Sequence, residues 1–103
     1  MNETSTIKLW IDDLRGAPDA SWTVARTSKE AIRIFATGRV IRVSFDCDLG
    51  GPDKGMKVVA WLERRCFADP DFPMPAYAVH SANLPEAERV RVALRAIVDR
   101  RTR

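Results

Sequence analysis

Two closely spaced groups of aspartates, Asp12-Asp13 and Asp46-Cys47-Asp48, are the residues best suited to chemistry in this chain. Carboxylates brought together repel and raise one another's pKa values, and a hard cation relieves that repulsion. Mg²⁺ or Mn²⁺ would do so through oxygen ligands, and the same ion binds phosphate oxygens and polarises phosphorus. Each acidic group directly follows an apolar run, Ile7 to Ile11 or Val40 to Phe45, that reads as a buried strand stopping at a polar edge. A further run from Ala76 ends at His80-Ser81-Ala82-Asn83, which adds an imidazole, a hydroxyl and an amide. If these strands are neighbours, one pocket holds all four carboxylates with His80, Ser81 and Asn83. Ser81 and the backbone N–H groups of the Gly50–Gly55 turn would donate to phosphate oxygens, and Arg15 would add a bidentate cationic clamp.

Every one of these residues also has a plainer role open to it. A single aspartate after a strand is most often a loop residue or helix cap, but two groups in the same structural position are harder to dismiss. His80 is either catalytic or a strand-end ring satisfied by a hydrogen bond. Asn83 is a natural cap for the last helix, and Ser81 can cap or turn. Gly50, Gly51 and Gly55 suit a turn that needs positive φ. Trp10, Trp22 and Trp61 read as packing groups rather than ligand-stacking ones.

The elements that must hold these residues follow from periodicity. After the first strand, Leu14 to Ser21 reads as a loop and Trp22 to Arg26 as a second strand. Thr27 and Glu30 form a capping box for a helix with Ala31, Ile32, Phe35 and Ala36 on one face and Gly38 at its C-cap. Met56 to Phe67 is helical, with Val58, Trp61, Leu62 and Cys66 near one stripe. Pro85 suits the first turn of a final helix carrying Val90, Ala93, Leu94, Ile97 and Val98 on its apolar side. Strands and helices that alternate in this way predict an α/β layer structure with a mainly parallel sheet of about four strands. The first connection is short for a parallel crossover, so extended crossover and antiparallel pairing both remain open for the second strand. Ligand sites in such sheets lie beyond the carboxyl ends of the strands, where the acidic groups fall.

A chain of 103 residues, 46% hydrophobic and 30% charged, fits one soluble globular domain spanning 1–103. No apolar run approaches the ~20 residues that span a bilayer. Met1 to Thr6 lacks the features of a secretory signal, so a cytoplasmic location without membrane association is expected. Cys47 and Cys66 have no metal-type spacing and are expected to be reduced. The net charge of +3 arises from Glu86 to Arg103, which holds six arginines against three acids. Such a helix can attract nucleic acid, or simply present a solvated face with cations near its C-terminal dipole. The lack of aromatic residues among the arginines favours the second reading.

The segments Leu9-Trp10-Ile11-Asp12-Asp13-Leu14-Arg15, Arg26 to Ala31, Ser44 to Gly51 and Val79-His80-Ser81-Ala82-Asn83 together resemble response-regulator receiver domains. They resemble more closely a divergent branch, the cyclic-phosphate processing receiver-like family, over nearly the whole chain. The resemblance implies a small flavodoxin-like three-layer sandwich, here without the usual first helix and fifth strand. It implies that Asp12 and Asp13 hold a divalent metal, that Asp46 occupies the phosphoacceptor position and also binds metal, and that Ser81-Ala82 contacts the phosphoryl group. The implied activity is metal-dependent phosphoesterase chemistry on a cyclic phosphate, as a nucleotide or a 2′,3′-cyclic RNA end. In that chemistry Asp48 would activate water, His80 would act as acid or electrophile, and Arg15, Ser81 and Asn83 would hold phosphate oxygens. The alternative is a module that binds a phospholigand or protein without turnover. Two departures bear on the choice. No lysine-terminated fifth strand is present in this sequence, which argues against phosphorelay and leaves His80 or Arg15 to supply the missing donor. Cys47 stands where the divergent family usually has histidine.

Overall fold

A computed structural model describes residues 5–101. Met1–Thr4 of the polar start, and Thr102 and Arg103 of the basic segment, lie outside the described residues. The elements are β1 (Ile7–Ile11), β2 (Trp22–Ala25), α1 (Ser28–Phe35), β3 (Val40–Phe45), α2 (Gly55–Ala68), β4 (Ala76–Val79) and α3 (Leu84–Arg101). The strands form one sheet in the order β2-β1-β3-β4, and every pairing is parallel. The α/β class and the parallel four-stranded sheet are therefore as the residue pattern predicts.

The direction of β2, left open by the short first connection, is parallel, with Lys8 opposite Trp22 and Ile11 opposite Ala25. The chain reverses without a helix because side chains tie the connection together. The Asp12 carboxylate accepts from the N–H groups of Leu14 at 2.9 Å and Arg15 at 2.8 Å. Arg26, just past β2, donates to the carbonyls of Asp12 at 3.2 Å and Arg15 at 2.9 Å. Asp19 accepts from the Ser21 N–H and hydroxyl. These bonds do what a crossover helix does elsewhere.

Residues paired in a parallel sheet point to the same side, and successive residues alternate. Leu9, Ile11, Ala25, Val43 and Phe45 share one face, and all are buried. Against it lie Ala31 and Phe35 of α1, Val58, Val59 and Leu62 of α2, and Ala87, Val90, Leu94 and Ile97 of α3. The three helices sit side by side on this face, α1 against α2 and α2 against α3. The opposite face carries Lys8, Trp10, Trp22, Val24, Arg42, Ser44, Ala76 and Ala78, and no described helix packs on it. The receiver-like class holds, with two layers among the described residues where three were expected. Handedness accounts for the difference. The β1-to-β2 step runs opposite to the two later crossovers, so only a helix in that connection would lie on the other side. That connection is the loop just described.

Local signals behave as expected where a backbone group needed a partner. Thr27 Oγ1 accepts from the Glu30 N–H at 3.1 Å, and Gly38 closes α1 with φ of +73°. Asn83 Oδ1 accepts from the Glu86 N–H at 3.3 Å and so caps α3. On α3, Arg89, Arg91 and Arg95 pair with Glu86, Glu88 and Asp99, and Arg100 pairs with Glu63 of α2. Arg101 donates to the carbonyls of Pro70 and Phe72. The described arginines of this helix are thus engaged in local pairing. Among the described residues no helix is long and apolar enough to cross a membrane.

Candidate metal and phosphate site

The sheet order sets β1 beside β3 at the point where the winding reverses, and a cleft opens there beyond the strand ends. The ladder runs one residue past the strands and fixes the backbone of the site. Asp12 N–H donates to Ala25 O at 3.1 Å, Asp46 N–H to Ile11 O at 2.8 Å, and His80 N–H to Phe45 O at 2.9 Å. Asp12 and Asp46 are buried and Asp13 is half-buried, and one carboxylate oxygen from each lies within 4.8 Å of the others. Such a group is made of oxygen donors alone, the donor set that suits a hard divalent cation. Among the described residues no donor pairs with the Asp13 carboxylate, and Asp46 accepts from the Cys47 N–H at 2.8 Å.

Asp12 is the most constrained of the three. Burial alone would push its carboxyl up, but the N–H groups of Arg15 and Leu14, and then His80, more than offset this and hold it below the ordinary value. It is therefore ionised. His80 Nε2 lies 3.0 Å from Asp12 Oδ2, and Nδ1 lies 2.7 Å from Ser44 Oγ. Burial pushes the imidazole below its usual value despite the neighbouring Asp12, so the ring is neutral at neutral pH. A carboxylate can only accept, so Nε2 carries the proton and Nδ1 accepts from the Ser44 hydroxyl. The ring also stacks on Trp10, with centroids 3.8 Å apart and planes 6° apart. Both nitrogens and one face of His80 are in use, which is the geometry of a group that orients Asp12.

Arg15 Nε lies 3.5 Å from Asp12 Oδ2 and its side chain is 59% exposed, so the guanidinium pairs with the acidic group at its solvent edge. Asp48 stands apart from the other three carboxylates. It is exposed, Lys54 Nζ lies 2.7 Å away and Asn83 Nδ2 lies 3.3 Å away. Lys54 holds the Asp48 carboxyl below its ordinary value. The reason is local: the chain turns back between Asp48 and Lys54, which bridge antiparallel, and this sets the ammonium on the Asp48 carboxylate. Ser81 Oγ accepts from the Asn83 N–H at 3.1 Å. Cys47 itself points into the core, where burial pushes its thiol up. It does not join the acidic group.

Four residues shape the site in ways not evident from sequence. Lys54 takes up the Asp48 carboxylate across the turn, and Arg26 braces the backbone of Asp12. Asp53 accepts from Ser28 N–H at 2.9 Å and Ser28 Oγ at 2.6 Å, tying the glycine-rich turn to the start of α1. Gly55 matters for space rather than for φ, which among the described residues is positive only at Gly38, Gly50 and Gly51. A Cβ on Gly55 would lie closer than 3.0 Å to the Asp46 carbonyl oxygen, a separation real Cβ atoms essentially never keep. At Gly50, with φ of +92°, a Cβ would come within 3.3 Å of Asp13 Oδ2. The turn therefore lies directly against the acidic group, and its glycines make room for it.

A parallel sheet in this order, with an acidic group at its switch point, defines a receiver-like α/β domain. The model of one family, the Cyclic-phosphate processing Receiver domain, matches residues 7–96. The chain belongs to that family. Neither the curated proteins nor the solved structures contain a significant match to it.

Proposed function

We propose that the chain is a metal-dependent phosphoesterase-like domain acting on a cyclic phosphate, carried by a nucleotide or a 2′,3′-cyclic RNA end. The observation that carries this is the convergence of Asp12, Asp13 and Asp46 within 4.8 Å at the switch point of a sheet from a cyclic-phosphate processing family. Their all-oxygen donor set fits Mg²⁺ or Mn²⁺, which when bound would neutralise phosphate charge and polarise the phosphorus. Asp12 is pre-oriented by His80 and by the N–H groups of Leu14 and Arg15, so it needs little reorganisation to bind. Arg15, 3.5 Å from Asp12 and exposed, is a cation able to meet phosphate oxygens. Asp13 keeps lone pairs free to orient a water. Turnover of a panel of cyclic nucleotides with Mg²⁺ or Mn²⁺, compared with Asp46→Asn, tests the reading. Equal rates for the two proteins on every substrate would refute it.

One observation favours a second reading, binding without turnover. The two groups best suited to proton transfer are committed elsewhere, Cys47 to the core and His80 to Asp12 and Ser44. Calorimetry separates the two: saturable, metal-dependent nucleotide binding without product formation supports the binder.

A further inference from the structure

We propose that the uncovered face of the sheet is a binding groove for the single-stranded RNA that carries the terminal phosphate. The inference rests on the phosphate reading above and extends it to the rest of the ligand. A groove of about 250 Å³ runs along this face, walled by Trp10 and Trp22 and floored by Ser44, Ala76 and Ala78, with Arg42 at its far end. The floor is low because β4 presents only methyl groups here, while β1 and β2 present indoles. Trp10 and Trp22 meet edge to face with centroids 5.7 Å apart, and Trp10 stacks on His80. An aromatic series thus leads across the sheet to the residue that orients Asp12.

The spacing suits a nucleic-acid end. Ala78 precedes His80 by two residues, about 7 Å at the rise of a strand, so a base on the alanine floor lies one nucleoside's reach from the acidic group. Arg42 precedes Asp46 by four residues, about 13 Å on the same scale, and would meet a backbone phosphate further along the strand. Arg42 is exposed and makes no ion pair among the described residues. Lys8 lies on the same face with its ammonium 4.8 Å from the Trp22 ring centre. The strand residues of this face include these two cations and no carboxylate, which favours a polyanion over an apolar protein surface. Aromatic groups on an open four-stranded sheet are a recurrent platform for unstacked RNA bases.

The test uses two exposed positions away from the acidic group, Ala78→Phe to fill the groove and Arg42→Glu to reverse its charge. Fluorescence anisotropy would follow a short single-stranded oligoribonucleotide ending in a 2′,3′-cyclic phosphate, and the same oligomer ending in a 3′-hydroxyl. We expect each variant to weaken the cyclic-phosphate oligomer at least tenfold while Mn²⁺ binding stays unchanged. Arg42→Glu should also flatten the salt dependence by about one phosphate contact or more. Wild-type affinity in both variants overturns the proposal. So does a wild-type dimer in light scattering that Ala78→Phe makes monomeric, because the face would then belong to a second copy. Equal binding of the two oligomers, lost in both variants, supports the groove and overturns the phosphate-end reading instead.

Discussion

Gly55→Ala offers a test in which two physical effects predict opposite signs. Gly55 opens α2 and is buried, and helix propensity alone favours alanine by up to about 1 kcal/mol. Against this, the new Cβ would sit inside 3.0 Å of the Asp46 carbonyl oxygen and 3.4 Å from both Asp46 C and Cys47 Cα. These are backbone atoms at a strand end, with no flexible side chain to move aside. Overpacking of this kind costs about 1–3 kcal/mol, so the clash should win. At about 4–8 °C per kcal/mol for a small domain, a net cost of about 1–2 kcal/mol should lower Tm by roughly 4–16 °C. A second effect is separate from the first. Relief of the clash moves the Asp46 backbone by something on the order of 1 Å, a scale at which a positioned site can lose ~100-fold. The stabilisation by Mn²⁺, about 2.7 kcal/mol at a hundredfold excess over Kd, should therefore shrink markedly. Thermal melts with and without Mn²⁺ measure both. Gly16→Ala is the control, because its Cβ meets nothing within 4 Å. A Gly55→Ala protein that melts at or above the wild type with its full Mn²⁺ response would refute the reasoning.

Other expectations concern the groups around the acidic cluster. Asp53→Asn should destabilise by about 1–2 kcal/mol, because it weakens the bonds to Ser28 at the start of α1. Burial alone would raise the Asp53 carboxyl, but the Ser28 bonds and Lys57 hold it below the ordinary value. A depressed folded pKa gives stability present above the unfolded value and lost as pH falls through the folded one. Below about pH 4, the wild-type Tm should therefore fall more steeply than that of Asp53→Asn. His80→Phe keeps a ring against Trp10 but removes the donor to Asp12, and Mn²⁺ affinity should fall about 10–100-fold by titration calorimetry. Cys47 and Cys66 are both buried, so a thiol-specific colorimetric reagent should react with them only as fast as the protein unfolds. Rapid modification of either in the folded protein would contradict the packing described.

The strand ends and helix caps were legible because each rests on a local rule. An apolar run stopping at Asp12 or Asp46 marks an edge, and Thr27 with Glu30, or Asn83 with Glu86, satisfies N–H groups within one turn. The direction of β2 was not, since loop length allows both senses and the deciding bonds come from Arg26 beyond the strand. Asp48 was expected in the pocket through proximity to Asp46 in sequence, but the turn that follows brings Lys54 onto its carboxylate, a pairing that spacing alone does not show. Gly55 was expected to need positive φ; its real constraint is the backbone of another strand, which sequence does not show. The open second face is a different case. Trp10 and Trp22 look like core residues, while Arg42, Ser44, Ala76 and Ala78 already carried the alternation of a sheet open on one side.

That one-sidedness has a consequence for how the sequence can change. In a sheet covered on both faces, every strand residue answers to packing. Here adjacent positions answer to different demands: Leu9, Val43 and Phe45 to volume and shape, Lys8, Arg42 and Ala78 to whatever meets the open surface. Tolerance to substitution should therefore alternate residue by residue along β1 and β3. The outward positions can be exchanged in combination without passing through an unfolded intermediate sequence, so this surface can acquire new specificity while the scaffold beneath it stays constant.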